Sequence, residues 1–183
     1  VDQQRTDVMA GQEVGGLAVG DTRSQREDIT HLAAELLPPD RPRYLMGVGT
    51  PPDLLHAMLG GVDMFDCILP TNLGWQATAF TSTGRVKLTP GAHAQDDNPL
   101  DATCSCATCA TFSRSYLHHL FKCDEPLGAR LVSMHNLHHY QALMAEARPA
   151  ITAGTFAAYA REKLDAIDRH GHSGRRMGAV DLP

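Results

Sequence analysis

Several things are scarce in this chain, and each scarcity removes a class of function. Basic residues do not outnumber acidic ones: 16 Lys and Arg stand against 21 Asp and Glu, a formal net charge of −5. Bulk positive charge therefore cannot carry nucleic-acid binding, although a local basic face is compatible with that balance. No apolar run approaches the roughly 18 residues of a membrane span, so no membrane partner is expected. Val1 to Ala10 is polar and lacks the apolar stretch of a signal peptide. The chain opens on Val rather than Met, which is compatible with a cut or incomplete N-terminus. There is no internal repeat. The five cysteines, Cys67, Cys104, Cys106, Cys109 and Cys123, fall short of the even, dispersed set of a secreted disulfide scaffold. Cys104, Cys106 and Cys109 lie too close together to bridge one another without strain. Clustered thiolates in a reducing compartment point instead to a metal, and the expected location is cytoplasmic.

What remains is an ordinary globular composition, 43% apolar and 20% charged over 183 residues. A chain of that size buries roughly 70% of its unfolded surface. Short apolar runs at Val14–Val19, Tyr44–Val48 and Met64–Leu69 have the length of buried strands. Between them, Ser24–Leu37 reads as a helix with Ile29, Leu32, Leu36 and Leu37 on one face, stopped by Pro38, Pro39 and Pro42. Asp53–Leu59 reads as a second helix, opened by Pro51 and Pro52 and closed by Gly60 and Gly61. This alternation predicts parallel β/α units. After Pro70 the pattern changes. Gln76–Ser82 and Val86–Thr89 read as a hairpin turning at Thr83-Gly84-Arg85. Helices are expected over Ala107–Phe121, Pro126–Ala147 and Thr155–Arg169, the last with Thr155 as its N-cap and with Phe156, Tyr159, Ala160, Leu164 and Ile167 at helical spacing. The tail from His170 is expected to be disordered.

Three features carry chemistry. Cys104-x-Cys106-x-x-Cys109 supplies three soft ligands within one turn-rich segment, and zinc takes four in a tetrahedron. Residue type and spacing alone leave the fourth open among Cys123, His118-His119 and the His135-to-His139 stretch. A closed four-ligand site would be structural, since it keeps no position for water. Asp66 sits in the apolar run Met64-Phe65-Asp66-Cys67-Ile68-Leu69, where an isolated carboxylate is costly unless paired or functional. It reads equally as a catalytic group at a strand's carboxyl end or as the partner of a structural arginine. Asp63, near the start of that strand, reads as structural. Gly47-Val48-Gly49 lacks the third glycine of a dinucleotide fingerprint and is followed by prolines. Its glycines, with Gly15-Gly16, suit either tight turns or the close approach of backbone amides to a flat ligand.

Taken together, these segments resemble the tRNA-guanine transglycosylases. The resemblance is carried by Gly15-Gly16-Leu17-Ala18-Val19-Gly20, Tyr44-Leu45-Met46-Gly47-Val48-Gly49, Asp63-Met64-Phe65-Asp66-Cys67, Leu69-Pro70-Thr71, the three clustered cysteines and His135-Asn136. It covers about Val14 to Arg169, and its order and spacing need no gaps. It implies an α/β fold: the last three β/α units of a (β/α)8 TIM barrel with an inserted zinc-binding subdomain. The implied organisation is residues 1–75 in the barrel, 76–150 in the hairpin and zinc subdomain, 151–169 as a C-terminal helix and 170–183 as tail. The implied activity is exchange of guanine at the tRNA wobble position for the queuosine precursor preQ1, through a covalent aspartyl-ribose intermediate. By this resemblance Asp66 is the nucleophile. Gly16, Leu17, Val19 and Met46 contact the base, with Val19 favouring preQ1 over the larger queuine. Cys104, Cys106, Cys109 and His135 bind Zn2+, and the complete enzyme is a homodimer.

Two positions depart from the family pattern. Asn72 and Trp75 stand where the family carries arginines against the tRNA, which removes two charge-assisted contacts. Trp75 offers either a stacking face for a base or a core side chain. The chain also begins in what resembles the helix before the sixth barrel strand. The resemblance therefore implies a carboxyl-terminal portion whose 183 residues alone do not catalyse exchange. The alternative function is a non-catalytic, zinc-bearing tRNA-binding subunit or paralogue of the same fold.

Overall fold

The computed structural model describes the backbone of residues 12–14 and 23–171 and the side chains of 25–169. These form two compact units, one ending at Cys67 and the other beginning at Ile68. The base-contact candidates Gly16, Leu17 and Val19, and the tail beyond residue 171, lie outside the described residues.

The first unit is a parallel sheet in the order β1-β2-β3, comprising β1 (Gln12–Val14), β2 (Arg43–Leu45) and β3 (Met64–Phe65). Helix α1 (Arg23–Leu36) connects the first two strands and α2 (Pro51–Leu59) the second and third. The register sets Glu13 opposite Tyr44 and Tyr44 opposite Met64. This is the expected strand–helix alternation with shorter strands. β2 stops because Gly47 turns the chain at φ 69°. β3 stops at Phe65, ahead of the exposed Asp66. Helix α2 starts on a capping box. The Asp53 carboxylate accepts from the Thr50 amide (2.9 Å) and hydroxyl (2.6 Å), while Thr50 Oγ1 accepts from the Asp53 amide. Gly49 is required beside it, since an added Cβ would lie 2.6 Å from that of Asp53.

The core of this unit is Ala34, Leu45, Val48, Ala57 and Val62, with Phe65 against it. It does not use the face of α1 that periodicity suggests. Leu32 and Leu36 are 59% and 78% exposed and Ile29 is exposed too, while Thr30 and Ala34 point inward. Small residues at i and i+4 let the helix lie close to its neighbours and leave the large ones outside. Asp63 is structural, as expected: its carboxylate accepts from the Arg43 amide at 2.9 Å, and its own amide donates to the Arg43 carbonyl.

The second unit opens with α3 (Leu69–Trp75) and the hairpin of β4 (Thr78–Thr81) and β5 (Gly84–Lys87). The hairpin turns at Ser82-Thr83, so Gly84 (φ 112°) and Arg85 belong to the second strand rather than to the turn. α4 (Ala107–Thr111) and α5 (Arg114–Lys122) are two helices where periodicity suggests one. Ser113 breaks the run by capping α5, its hydroxyl accepting from the Tyr116 amide. α6 (Pro126–Thr152) runs past the expected Ala147, and α7 (Phe156–Gly171) follows. Thr155 precedes α7, with its hydroxyl donated back to the Ala150 carbonyl. The core is built from Ala77, Ala79, Leu88, Leu100, Leu117, Leu120, Leu131 and Val132. α3 belongs to this unit because it crosses α6 closely: a Cβ on Gly74 would sit 2.3 Å from Ser133 Oγ. The packing divide between the units falls between Cys67 and Ile68. Among the described residues, no helix is long and apolar enough to cross a membrane.

Candidate functional site

The three clustered cysteines gather around His135. Cys104 lies on the loop before α4. Cys106 is the N-cap of α4, its Sγ accepting from the Cys109 amide. His135 comes from the middle of α6 and is fully buried. Its Nδ1 lies 3.7, 3.4 and 3.3 Å from Sγ of Cys104, Cys106 and Cys109. All four donor atoms fall within 4.8 Å of one another. Zinc–sulfur and zinc–nitrogen bonds of about 2.3 and 2.05 Å in a regular tetrahedron give an S···N edge of about 3.6 Å. The cluster therefore has the dimensions of a four-coordinate metal site.

The tautomer needed for ligation is fixed from outside. His135 Nε2 lies 2.6 Å from the Phe80 carbonyl, which can only accept, so that nitrogen carries the proton and Nδ1 is left with its lone pair. Asn136, also fully buried, completes the tie. Its Oδ1 accepts from the Phe80 amide at 2.9 Å, and its Nδ2 donates to the Pro70 and Thr78 carbonyls. Asp101 anchors the loop, accepting from the amides and hydroxyls of Ser82 and Thr103. Burial raises the Cys104 thiol and, with its thiol neighbours, pushes Cys109 up to about 12. Burial likewise lowers the His135 imidazole. The raised Cys104 and Cys109 thiols hold their protons, so metal binding must expel them.

The other fourth-ligand candidates are elsewhere. Cys123 is exposed at the end of α5, 3.8 Å from the His119 ring. His118 is buried against the Leu88 carbonyl at 2.6 Å. His139 stacks on His135 at 6.4 Å between centroids without joining the ligand set, and burial drives its imidazole down to about 4.

In the first unit, Asp66 stands one residue beyond β3 and is exposed rather than sunk in a buried strand. Its Oδ1 accepts from the Tyr44 hydroxyl at 2.8 Å and from the Gly47 amide at 3.0 Å. The Gly47 amide, then the Tyr44 hydroxyl, hold this carboxyl below its ordinary 3.8. Both donors are neutral, in place of the arginine partner that position alone also suggested. Met46, next to Gly47, is 41% exposed, open enough to meet a flat ligand. Asn72 is half-buried on α3, its Oδ1 facing Gln76 Nε2 at 3.4 Å. Trp75 is 66% exposed, so it is no core residue.

Comparison with known proteins bears on this arrangement directly. The family model described as queuine tRNA-ribosyltransferase matches residues 3–169. The chain belongs to the queuine tRNA-ribosyltransferase family. A queuine tRNA-ribosyltransferase of Solidesulfovibrio magneticus is 50% identical over 161 residues, covering 88% of this chain and 43% of that protein. That of Novosphingobium aromaticivorans is 51% identical over 152 residues, covering 83% and 41%. That of Nitrosomonas europaea is 48% identical over 152 residues, with the same shares. The chain thus spans about two fifths of the length of the curated relatives it matches. Three residues that hold these groups in place, Tyr44, Asp101 and Asn136, carry no individual role in the sequence analysis. Only Tyr44 had a usable signal, a polar-tipped aromatic opening the apolar run that precedes the glycines.

Proposed function

We propose that the whole protein is a tRNA-guanine transglycosylase that replaces guanine at the tRNA wobble position with preQ1. The observation that carries this reading is the Asp66 carboxylate. It is exposed and acidic, with Oδ1 held by two neutral donors. In this reading Oδ2 attacks the ribose C1′ and forms an ester. The C1′–N9 bond breaks, and its electron pair leaves with guanine, which takes up a proton. N9 of the incoming base then attacks C1′, gives up its proton, and returns the ester pair to Oδ2. Two inversions give net retention, and splitting the displacement is the usual advantage of a carboxylate nucleophile.

Around this centre, Met46, Gly16, Leu17 and Val19 are the proposed base contacts. The exposed Trp75, with Asn72, supplies an RNA contact by stacking in place of charge. Cys104, Cys106, Cys109 and His135 are assigned to Zn2+. With all four positions taken by protein, the metal would cross-link the loop to α6 and leave the chemistry to Asp66. The parallel order of β1, β2 and β3 supports reading the first unit as three β/α units of a (β/α)8 barrel, with the zinc subdomain over 76–150. A homodimer working in the cytoplasm completes the proposal.

The test is adduct formation in the whole protein, incubated with a tRNA bearing guanine at the wobble position. Wild type forms a denaturation-resistant protein–RNA adduct. Asp66→Asn forms none while still binding the tRNA. An adduct in the Asn variant would assign the attack to another residue.

A further inference from the structure

Tyr44 lies on β2 opposite Met64 of β3, and Asp66 is two residues beyond Met64. A spacing of two returns a side chain to the same face of a strand, so the phenol of Tyr44 can reach across to the carboxylate. The contact is short and specific: hydroxyl to Oδ1 at 2.8 Å, on the same oxygen that accepts from the Gly47 amide. Two donors on one oxygen restrict the carboxylate's rotation and leave the two oxygens inequivalent. The pair is exposed, where a single hydrogen bond adds little to folding. Its position beside a reactive group is what gives it consequence.

We propose that Tyr44 is a positioning residue for the Asp66 nucleophile, holding Oδ1 so that Oδ2 attacks and keeping the resulting ester from becoming a trap. This rests on the reading of Asp66 as nucleophile. When Oδ2 bonds to C1′, Oδ1 becomes the ester carbonyl and keeps the same donors. A hydrogen bond to an anion is stronger than one to a neutral carbonyl. The Tyr44 hydroxyl therefore favours the free carboxylate over the ester and makes Asp66 a better leaving group in the second displacement. No bond to Tyr44 forms or breaks, and its proton stays on the phenol throughout.

The experiment isolates the covalent adduct of the whole protein with a wobble-guanine tRNA and chases it with excess free guanine. Asp66→Asn serves as the control for the nucleophile itself. Tyr44→Phe keeps the ring and removes the donor. The adduct should then accumulate to a higher steady-state fraction, and its chase should slow about tenfold, the scale of one hydrogen bond to a charged group. Site-specific replacement of Tyr44 by 3-fluorotyrosine, a stronger donor of the same shape, should speed the chase. Zinc content and thermal midpoint equal to wild type establish that each variant is folded. An unchanged chase in folded Tyr44→Phe overturns the proposal, as does adduct yield and chase falling together, the mark of a merely structural role. If Asp66→Asn still forms adduct, the nucleophile assignment fails first and the role of Tyr44 falls with it. If Asp66→Asn is silent while the Phe variant chases normally, only the role of Tyr44 fails.

Discussion

The two units of this chain are held by different means. The first relies on a small apolar core of Ala34, Leu45, Val48, Ala57 and Val62 beneath a three-stranded sheet, and leaves Ile29, Leu32, Leu36, Met46, Leu59 and Met64 exposed. The second combines a larger apolar core with polar ties buried to 0% exposure at His135 and Asn136 and a four-ligand cluster between a loop and a 27-residue helix. Such ties are directional and buried, so losing one should cost this unit more than losing a local contact costs the first. The first unit should lose stability in small increments.

The largest break in that contrast is loss of the metal. His135→Ala removes a ligand and the donor to Phe80 together. Structural zinc contributes about 10 kcal/mol or more, so cooperative unfolding of the second unit should disappear while the helices of the first unit keep their circular dichroism. Elemental analysis should find one zinc per wild-type chain and none in the variant. Acidification should have the same effect more gradually. The thiols of Cys104 and Cys109 are raised, so the cluster prefers protons, and chelators should strip the metal faster as pH falls.

The next effect in size is Asn136→Ala. It leaves the Phe80 amide and the Pro70 and Thr78 carbonyls without their buried partner. A cost of about 3–5 kcal/mol is expected in denaturant unfolding, with zinc still bound. Gly74→Ala should follow at about 1–3 kcal/mol, because the new methyl meets the backbone of Ser133 as well as its hydroxyl and the crossing of α3 and α6 must open. Thr50→Ala, in the first unit, should cost only about 1 kcal/mol, since the capping box is one local device among several. Reversal of this order, with the cap outweighing the buried amide, would remove the distinction between the units.

The same contrast explains what could be read in advance. The β/α alternation was legible because Pro51, Pro52, Gly60 and Gly61 punctuate it and the apolar runs are short. The inward face of α1 was not, because Thr30 and Ala34 are less hydrophobic than the Ile29, Leu32 and Leu36 they displace, and only packing decides between the two faces. The three cysteines announced a metal, but choosing among five nearby histidines depended on the Phe80 carbonyl, a partner 55 residues away in sequence. The break between α4 and α5 was written in Ser113, a good N-cap hidden within a run of helix-compatible residues. The local surroundings of Asp66 differ from those its apolar run suggests. The residue is exposed at the end of a two-residue strand, not buried within a longer one.

The measurement that bears most directly on the account is peptide mapping of the trapped adduct. The whole protein is incubated with a wobble-guanine tRNA between pH 5 and 7, where the lowered pKa of Asp66 keeps it ionised and its reactivity flat. The adduct is then denatured and digested with nuclease and protease, and the modified peptide is sequenced by mass spectrometry. The account predicts one ribonucleotide remnant lacking its base, ester-linked to Asp66. A remnant on any other residue, or an intact guanine still attached to the ribose, would contradict it.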